Sequence, residues 1–94
     1  MATSKIINLK EIDAGRTTSG DVTAGSYADM EITFNKTFSK APYVIASLHS
    51  NSTSPDVGLI SVASREITTT GCMIRIFNAS SSTRAPAVTW IAIA

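Results

Sequence analysis

The chain has 94 residues, a formal net charge of +1 and 16% charged residues, which is below the roughly 25% typical of soluble domains. This length accommodates one small domain, and the scattered basic residues exclude the basic stripe of nucleic-acid-binding proteins and polybasic membrane anchors. No apolar run approaches the ~20 residues that span a bilayer, and the N-terminus lacks the apolar segment of a signal peptide, so we predict neither membrane insertion nor a signal peptide.

Short apolar segments between polar turns predict six β-strands and no helix, because β-branched residues dominate and no 3.6-residue periodicity persists. The first strand is predicted at about 6–12, and a loop rich in Gly, Ser and Thr follows at 13–26. The second strand is predicted at about 27–34, where strictly alternating apolar and polar residues indicate that one face is buried.

Four more strands follow a connection at 35–42, in which Phe38 is expected to fill one end of the core and Pro42 to start the next strand. These strands are predicted at 43–49, 57–64, 72–78 and 87–94. We therefore predict an all-β fold, a six-stranded antiparallel β-sandwich. Residues 1–26 contribute the first strand and the loop, and 27–94 complete the same domain.

The last four strands are apolar on both faces. In the third strand Tyr43 and Ile45 oppose Val44, and in the last strand Ile91 opposes Trp90. An isolated sandwich exposes the outer face of each sheet, so another copy of the chain is the simplest cover. We therefore predict a three-fold or two-fold homo-oligomer; the alternative is that these faces are ordinary apolar surface. Trp90 is expected in the core between the sheets.

Catalytic and metal-binding patterns are missing from the sequence. Cys72 and His49 are the only cysteine and the only histidine, and Cys72 is expected to be a small core residue. Asp29 and Glu31 share a strand face, but such a pair is more typical of solvated surface than of a glycosidase. These observations favour a non-enzymatic binding or structural module without a cofactor or a bound metal.

The polar loops of a β-sandwich are the expected place for function. If the strands alternate in direction, loops 13–26, 50–56 and 79–86 lie at one end. Their neutral hydrogen-bonding groups and occasional charges suit sugar hydroxyls or a polar protein surface, and ordinary turn chemistry is the alternative. The candidate ligand-binding residues are Asp21, His49, Asn51, Asp56, Asn78 and Arg84, whereas the opposite end carries Lys36, Lys40, Arg65 and Glu66.

Several short motifs recur in a fixed order between residues 27 and 94: Ile32-Thr33-Phe34, Phe38, Pro42-Tyr43-Val44, Ser47, Ile67-Thr68-Thr69-Thr70-Gly71 and Val88-Thr89-Trp90-Ile91-Ala92. In these motifs the segment resembles the H-type lectin domain, which occurs in snail and slime-mould agglutinins and at the tips of phage tail proteins. The resemblance implies an antiparallel six-stranded sandwich that assembles as a homotrimer. It also implies that sugar lies at the boundary between protomers.

The chain departs from the snail lectins at the positions that hold their sugar. Asn78-Ala79-Ser80 replaces a Trp-His pair at the end of the fifth strand, and Leu59 or a neighbour stands where those lectins have an arginine. Asp21 is the counterpart of an acidic residue in their first long loop. The N-acetylgalactosamine specificity of those lectins is therefore not transferred to this chain.

The absence of a signal peptide and of a cysteine pair argues against a secreted animal lectin. The chain most resembles the C-terminal head domain of a phage or prophage tail fibre or minor structural protein. The leading hypothesis is a homotrimeric receptor-binding or adhesin head at the virion tail tip, which acts outside the host cell and binds a cell-surface glycan or wall polysaccharide. The alternatives are a trimerisation and capping domain without a ligand of its own, and a soluble agglutinin.

Overall fold

A computed structural model describes residues 10–50 and 54–94. It contains six strands and one 3₁₀ turn: β1 Ile12–Thr18, β2 Ser26–Thr33, β3 Tyr43–His49, the 3₁₀ turn Pro55–Leu59, β4 Ile60–Arg65, β5 Gly71–Asn78 and β6 Ala87–Ile93. None of the described segments is a helix long and apolar enough to cross a membrane. The predicted bounds of β2, β3, β5 and β6 are confirmed to within one residue at each end.

The strands form two three-stranded antiparallel sheets, ordered β1-β6-β3 and β2-β5-β4. The prediction of an all-β fold with six antiparallel strands is confirmed. Both sheets turn alternate residues inward, so Val88 and Ala92 of β6 and Ile74 and Ile76 of β5 are completely buried. The core therefore lies between two central strands, and each is flanked by edge strands that are less buried.

Aromatic side chains close one side of this core. Trp90 is 4% exposed, as predicted, and its ring centroid lies 5.5 Å from that of Phe34. Phe38, also buried as predicted, meets Phe34 edge to face with a centroid separation of 5.2 Å. Cys72 is a buried core residue, as expected, and burial raises the pKa of its thiol.

The first strand differs from its prediction. Residues 6–9 of the predicted strand lie outside the described part of the chain, and the prediction that 13–18 is a loop is wrong, because β1 occupies Ile12–Thr18. Gly15 lies opposite Trp90 in the sheet, and a Cβ on Gly15 would be 2.6 Å from the indole ring. The large ring of β6 thus fills the space under β1, so this strand needs no apolar residues of its own on its inner side.

The start of the fourth strand also differs. Strand was predicted from residue 57, but residues 55–59 form the 3₁₀ turn and β4 begins at Ile60. The Ser54 hydroxyl accepts a hydrogen bond from the Asp56 backbone N–H at 3.3 Å, and Pro55 begins the turn. A serine cap followed by proline favours a helical start, and this local preference prevails over the apolar residues that suggested a strand.

The outer face of β1-β6-β3 divides into two halves along the strands. In register, the half near the chain ends carries an apolar set that we call the apolar half-face: Ile12, Ala14, Tyr43, Ile45, Ile91 and Ile93. The other half carries the polar half-face: Arg16, Thr18, Ser47, His49, Ala87 and Thr89. Ile12, Ile45 and Tyr43 are 68%, 60% and 56% exposed, so no described part of this chain covers the apolar half-face.

Candidate functional site

The connections that follow β1, β3 and β5 lie, as far as the structure describes them, at one end of the sandwich, which we call the crown. The connection after β1 pairs with the connection after β5, because Val22 and Arg84 exchange backbone hydrogen bonds of 2.7 and 3.1 Å. The Ala79 N–H donates to the Leu59 carbonyl at 2.9 Å and joins the connection after β5 to the one after β3. The crown is therefore one continuous hydrogen-bonded unit.

Asn78 holds the crown together from inside. Its side chain is completely buried, and its Nδ2 donates to the carbonyls of Val22 and Ser82 at 2.9 Å each. Its Oδ1 accepts from the backbone N–H and the hydroxyl of Ser80 at 3.0 and 2.6 Å. All the hydrogen-bonding groups of this amide are thus engaged within the chain, and we assign Asn78 a structural role and not a ligand contact.

A groove of about 370 Å³ opens at the crown between the connections after β3 and β5. Its apolar lining comes from the ends of β3, β4 and β6 and from the 3₁₀ turn, and its polar lining includes His49, Asp56 and Arg84. The full set is Leu48, His49, Ser50, Ser54, Asp56, Val57, Ile60, Arg84, Ala85, Pro86 and Ala87. Apolar walls with a few convergent polar groups are typical of small-molecule sites.

An ion pair crosses this groove. Arg84 Nη2 donates to Asp56 Oδ2, and both side chains are partly exposed. Arg84 Nε is buried and has no hydrogen-bond partner among the described residues. The bond uses one carboxylate oxygen and one guanidinium nitrogen, so Asp56 and Arg84 retain further acceptor and donor positions.

The structure brings together His49, Asp56 and Arg84 of the six candidates. Asp21 is exposed on the crown outside the groove, Asn78 is buried beneath it, and Asn51 lies outside the described residues. Sequence reasoning missed the apolar lining, above all Val57 in the 3₁₀ turn. The signal that reveals it is Ser54-Pro55-Asp56, a cap and turn start that places the next residue off the strand.

The described residues contain no cluster of three or more His, Cys, Asp or Glu side chains that could hold a metal ion. The other carboxylates of this part of the chain lie away from the groove. Asp13 accepts hydrogen bonds from the backbone and side chain of Asn35 at 2.6 and 3.0 Å. Burial raises the pKa of Asp13, but these hydrogen bonds and one from Ala14 outweigh it and leave the pKa lowered.

The family model of the H-type lectin domain matches residues 29–93. The chain belongs to the H-type lectin domain family. The match begins in β2 and ends with β6, so it spans five of the six strands and all the residues that line the groove. A search of curated protein sequences gives no match.

Solved structures that resemble this H-type lectin domain include a pyocin fibre, a phage tailspike and a discoidin. The R1 pyocin fibre of P. aeruginosa superposes with a TM-score of 0.74 at 20% identity, over 88% of this chain and 22% of the fibre chain. The tailspike protein of Pseudomonas phage LKA1 gives 0.71 at 21% identity, over 90% of this chain and 15% of the tailspike. Discoidin II of Dictyostelium discoideum gives 0.73 at 17% identity, over 99% of this chain and 40% of discoidin. At these identities the likeness concerns the fold.

Proposed function

We propose that this H-type lectin domain is the receptor-binding head of a phage tail or fibre protein and binds a cell-surface glycan in the crown groove. The family membership supports a binding role without catalysis, and the structural neighbours in pyocin and phage fibres support a location on a virion or a related particle, outside the host cell. The observation that carries the proposal is the Asp56–Arg84 pair beside apolar walls.

The lining of the groove suits a saccharide ring. A sugar has an apolar C–H face, which the side chains of Val57 and Pro86 can contact, and hydroxyls that bind paired donors and acceptors. Asp56 and Arg84 offer both kinds of group within one groove, and hydrogen bonds to charged groups contribute about 1.5–3 kcal/mol each. The volume of about 370 Å³ lies at the lower end of ordinary ligand sites, so the groove fits a short saccharide unit.

We further propose that the domain assembles as a homotrimer through the apolar half-face. Ile12, Ile45 and Tyr43 are more than half exposed, and a contiguous apolar patch on a small domain marks an association surface. Three copies of this surface around an axis would bury it and place three crowns side by side. A single groove is expected to bind weakly, nearer millimolar than micromolar, and joint binding would raise the avidity by about 10²–10⁴.

The location of the described chain ends supports the same arrangement. Lys10 and Glu11 donate backbone hydrogen bonds to the Ala94 carbonyl at 2.8 Å, at the end of the sandwich opposite the crown. Any preceding segment joins at that end, which leaves the crown free to meet a cell surface. The polar crown loops, which include the exposed Asp21, then border the groove at the protomer boundary.

The proposal is tested by binding of host-wall polysaccharide to wild type and to Asp56→Ala. Loss of one charge-assisted contact should weaken binding about tenfold or more, while the melting temperature and the assembly mass stay unchanged. Lys40→Ala, at the opposite end, is the control because Lys40 is exposed and forms no ion pair with the described residues. Weakened binding in Lys40→Ala together with unchanged binding in Asp56→Ala would contradict the proposal.

A trimerisation and capping role without a ligand is the second candidate, because the apolar half-face carries four of the seven exposed large hydrophobic residues in the described part of the chain. A glycan array separates the two roles. A stable trimer that binds no glycan on the array would support the capping role and contradict the receptor-binding role. The soluble agglutinin of the sequence analysis would bind the array as well, and haemagglutination by the isolated trimer would favour it.

A further inference from the structure

The polar half-face has an unusual charge composition. Arg16, on the outer face of β1, lies in register with Thr89 and Ser47 across the three strands, and His49 occupies the next row towards the crown. No residue on the outer face of this sheet is Asp or Glu. Arg16 is exposed and forms no ion pair with any residue that the structure describes.

Arg16 stands apart from the other arginines of the chain. Arg65 and Arg75 pair with Asp29, and Arg84 pairs with Asp56. Each of these guanidinium groups has its carboxylate within the same protomer. Arg16 instead has the hydroxyl of Thr89 beside it in the same register row, with that of Ser47 one strand further along. The Ser47 hydroxyl makes only a long hydrogen bond of 3.5 Å to the Leu48 carbonyl, so both hydroxyls can turn to donate to an anionic oxygen alongside the guanidinium fork.

We propose that the polar half-face binds an anionic group, a phosphate or a carboxylate, with Arg16 as the principal cation and Thr89, Ser47 and His49 as hydrogen-bonding partners. His49 lies on this face and also lines the crown groove. A ligand held in the groove can therefore extend over His49 and place a charged substituent at Arg16. The inference rests on the proposed function in one respect, since it assigns the glycan to the acidic class.

Assembly strengthens the same conclusion. If the apolar half-face packs against other copies, the polar half-faces of neighbouring copies approach one another at the crown end. Several unpaired guanidinium groups would then share a partly enclosed space without a carboxylate from this face. Like charges in such a space repel, and enclosure of an unpaired charge is unfavourable. A bound anion relieves both effects.

The test is a titration of the full chain with inorganic phosphate and, separately, with glucuronate, followed by NMR. Saturable shifts are expected at Arg16, Thr89 and His49, and the dissociation constant should rise about tenfold or more in Arg16→Gln, the factor that about 1.4 kcal/mol of binding free energy represents. Lys40→Gln, which removes an exposed cation at the opposite end, should bind as the wild type does. The arm with the tighter binding identifies phosphate or carboxylate as the preferred group.

Three outcomes would overturn the anion site. They are equal binding in Arg16→Gln and wild type, an equal loss in Lys40→Gln, and dissociation of the assembly in Arg16→Gln, which would mean that Arg16 pairs with a neighbouring copy. A neutral saccharide and the Asp56→Ala variant separate this site from the proposed function. Anion binding that depends on Arg16 would stand even if no glycan bound the groove. Conversely, saccharide binding that depends on Asp56, together with equal phosphate and glucuronate binding in Arg16→Gln and wild type, would support the groove and reject the anion site.

Discussion

The outer faces of the two sheets are built from different interactions. On β2-β5-β4, Arg75 donates hydrogen bonds of 2.9 and 3.0 Å to Asp29, lies over the ring of Tyr27 at 4.3 Å, and shares Asp29 with Arg65 at 3.6 Å. On β1-β6-β3, the corresponding area is the apolar half-face, where Ile91 on the central strand is 40% exposed. One face pairs Asp29 with two arginines within the protomer and suits contact with water. The other face offers apolar surface that no described part of this chain covers.

This difference refines the prediction that the last four strands are apolar on both sides. Phe77 is 43% exposed on β5, but it shares its outer face with Arg75 and Arg65. Among the last four strands, two apolar outer rows coincide where β3 and β6 are neighbours, because their register places Ile45 beside Ile91. The register of the strands therefore decides which of the two faces carries the contiguous apolar surface that we propose as an interface.

The strongest test of the comparison places a charge on each face. Ile91→Lys should abolish assembly, because it buries an unpaired ammonium at the centre of the apolar half-face. Phe77→Lys, a matched change on the outer face of the central strand of the other sheet, should leave the assembly mass unchanged in light scattering. A wild-type protein that is a stable monomer of about 10 kDa, the mass of one chain, would contradict the assembly itself.

Substitutions at two neighbouring positions of β6 distinguish the roles of its inner and outer sides. Trp90 faces the core and is 4% exposed, so Trp90→Ala should lower the free energy of unfolding by about 3–5 kcal/mol. Chemical denaturation measures this loss. The expected contrast is that Trp90→Ala affects stability, whereas Ile91→Lys affects association. Unchanged stability with lost glycan binding would instead mean that Trp90 contacts the ligand.

A substitution of Asn78 tests whether the crown contributes to stability independently of the outer faces of the two sheets. Asn78→Ala leaves the backbone N–H of the buried Ser80 without its Oδ1 acceptor, and a buried donor left unpaired costs about 1–3 kcal/mol. Denaturation should therefore show a clear loss of stability, while the assembly mass remains that of the wild type. Ser81→Ala, an exposed position in the same connection, is the control and should have little effect.

The smallest expected effect concerns the charged face. Hydrogen bonds from Arg75 lower the pKa of Asp29 in the folded protein, and the nearby charges of Arg75 and Arg65 act in the same direction. The ionised form therefore stabilises the fold above the ordinary Asp pKa of about 3.9, and this contribution disappears as the pH falls through the lowered folded-state value.

The melting temperature of Asp29→Asn should thus be slightly below that of wild type at pH 7, and the difference should vanish in acid. Glu31→Gln on the same face is the control, because Glu31 has no ion pair within the described residues. An Asp29→Asn difference that persists unchanged below the ordinary Asp range would contradict the role of the charge.

Much of this architecture follows from local pattern, and the exceptions have physical causes. Alternating residues identify β2 because this strand buries one face of its own, and β3 is identified by apolar residues on both of its faces. β1 escapes the same reasoning because its inner positions, including Gly15, are small and polar and depend on Trp90 from a strand far away in the sequence. Residues 12–18 therefore form a strand because they pair with β6, and their own sequence does not indicate it.

The candidate site shows the same limit. Asp56 and Arg84 were identifiable as polar loop residues, but their ion pair depends on how two connections approach each other. Asn78 stands at the end of a strand beside a serine-rich loop, which suggests exposure, yet the backbone of Val22 folds over it. Whether a polar residue meets solvent or the interior is decided by the neighbouring connection.

The backbone bonds between Ala94 and Glu11 bring the described ends of the chain together. Ends that lie this close together allow a short linker to join Ala94 to Lys10 and close the described domain into a circle. New ends could then be opened at Gly20, where an added side chain would meet open space. The position of the chain ends can in this sense be moved without a change of fold. A circularly permuted form would carry a fused peptide on the crown, beside the groove. The original chain ends at the opposite end of the sandwich would be joined.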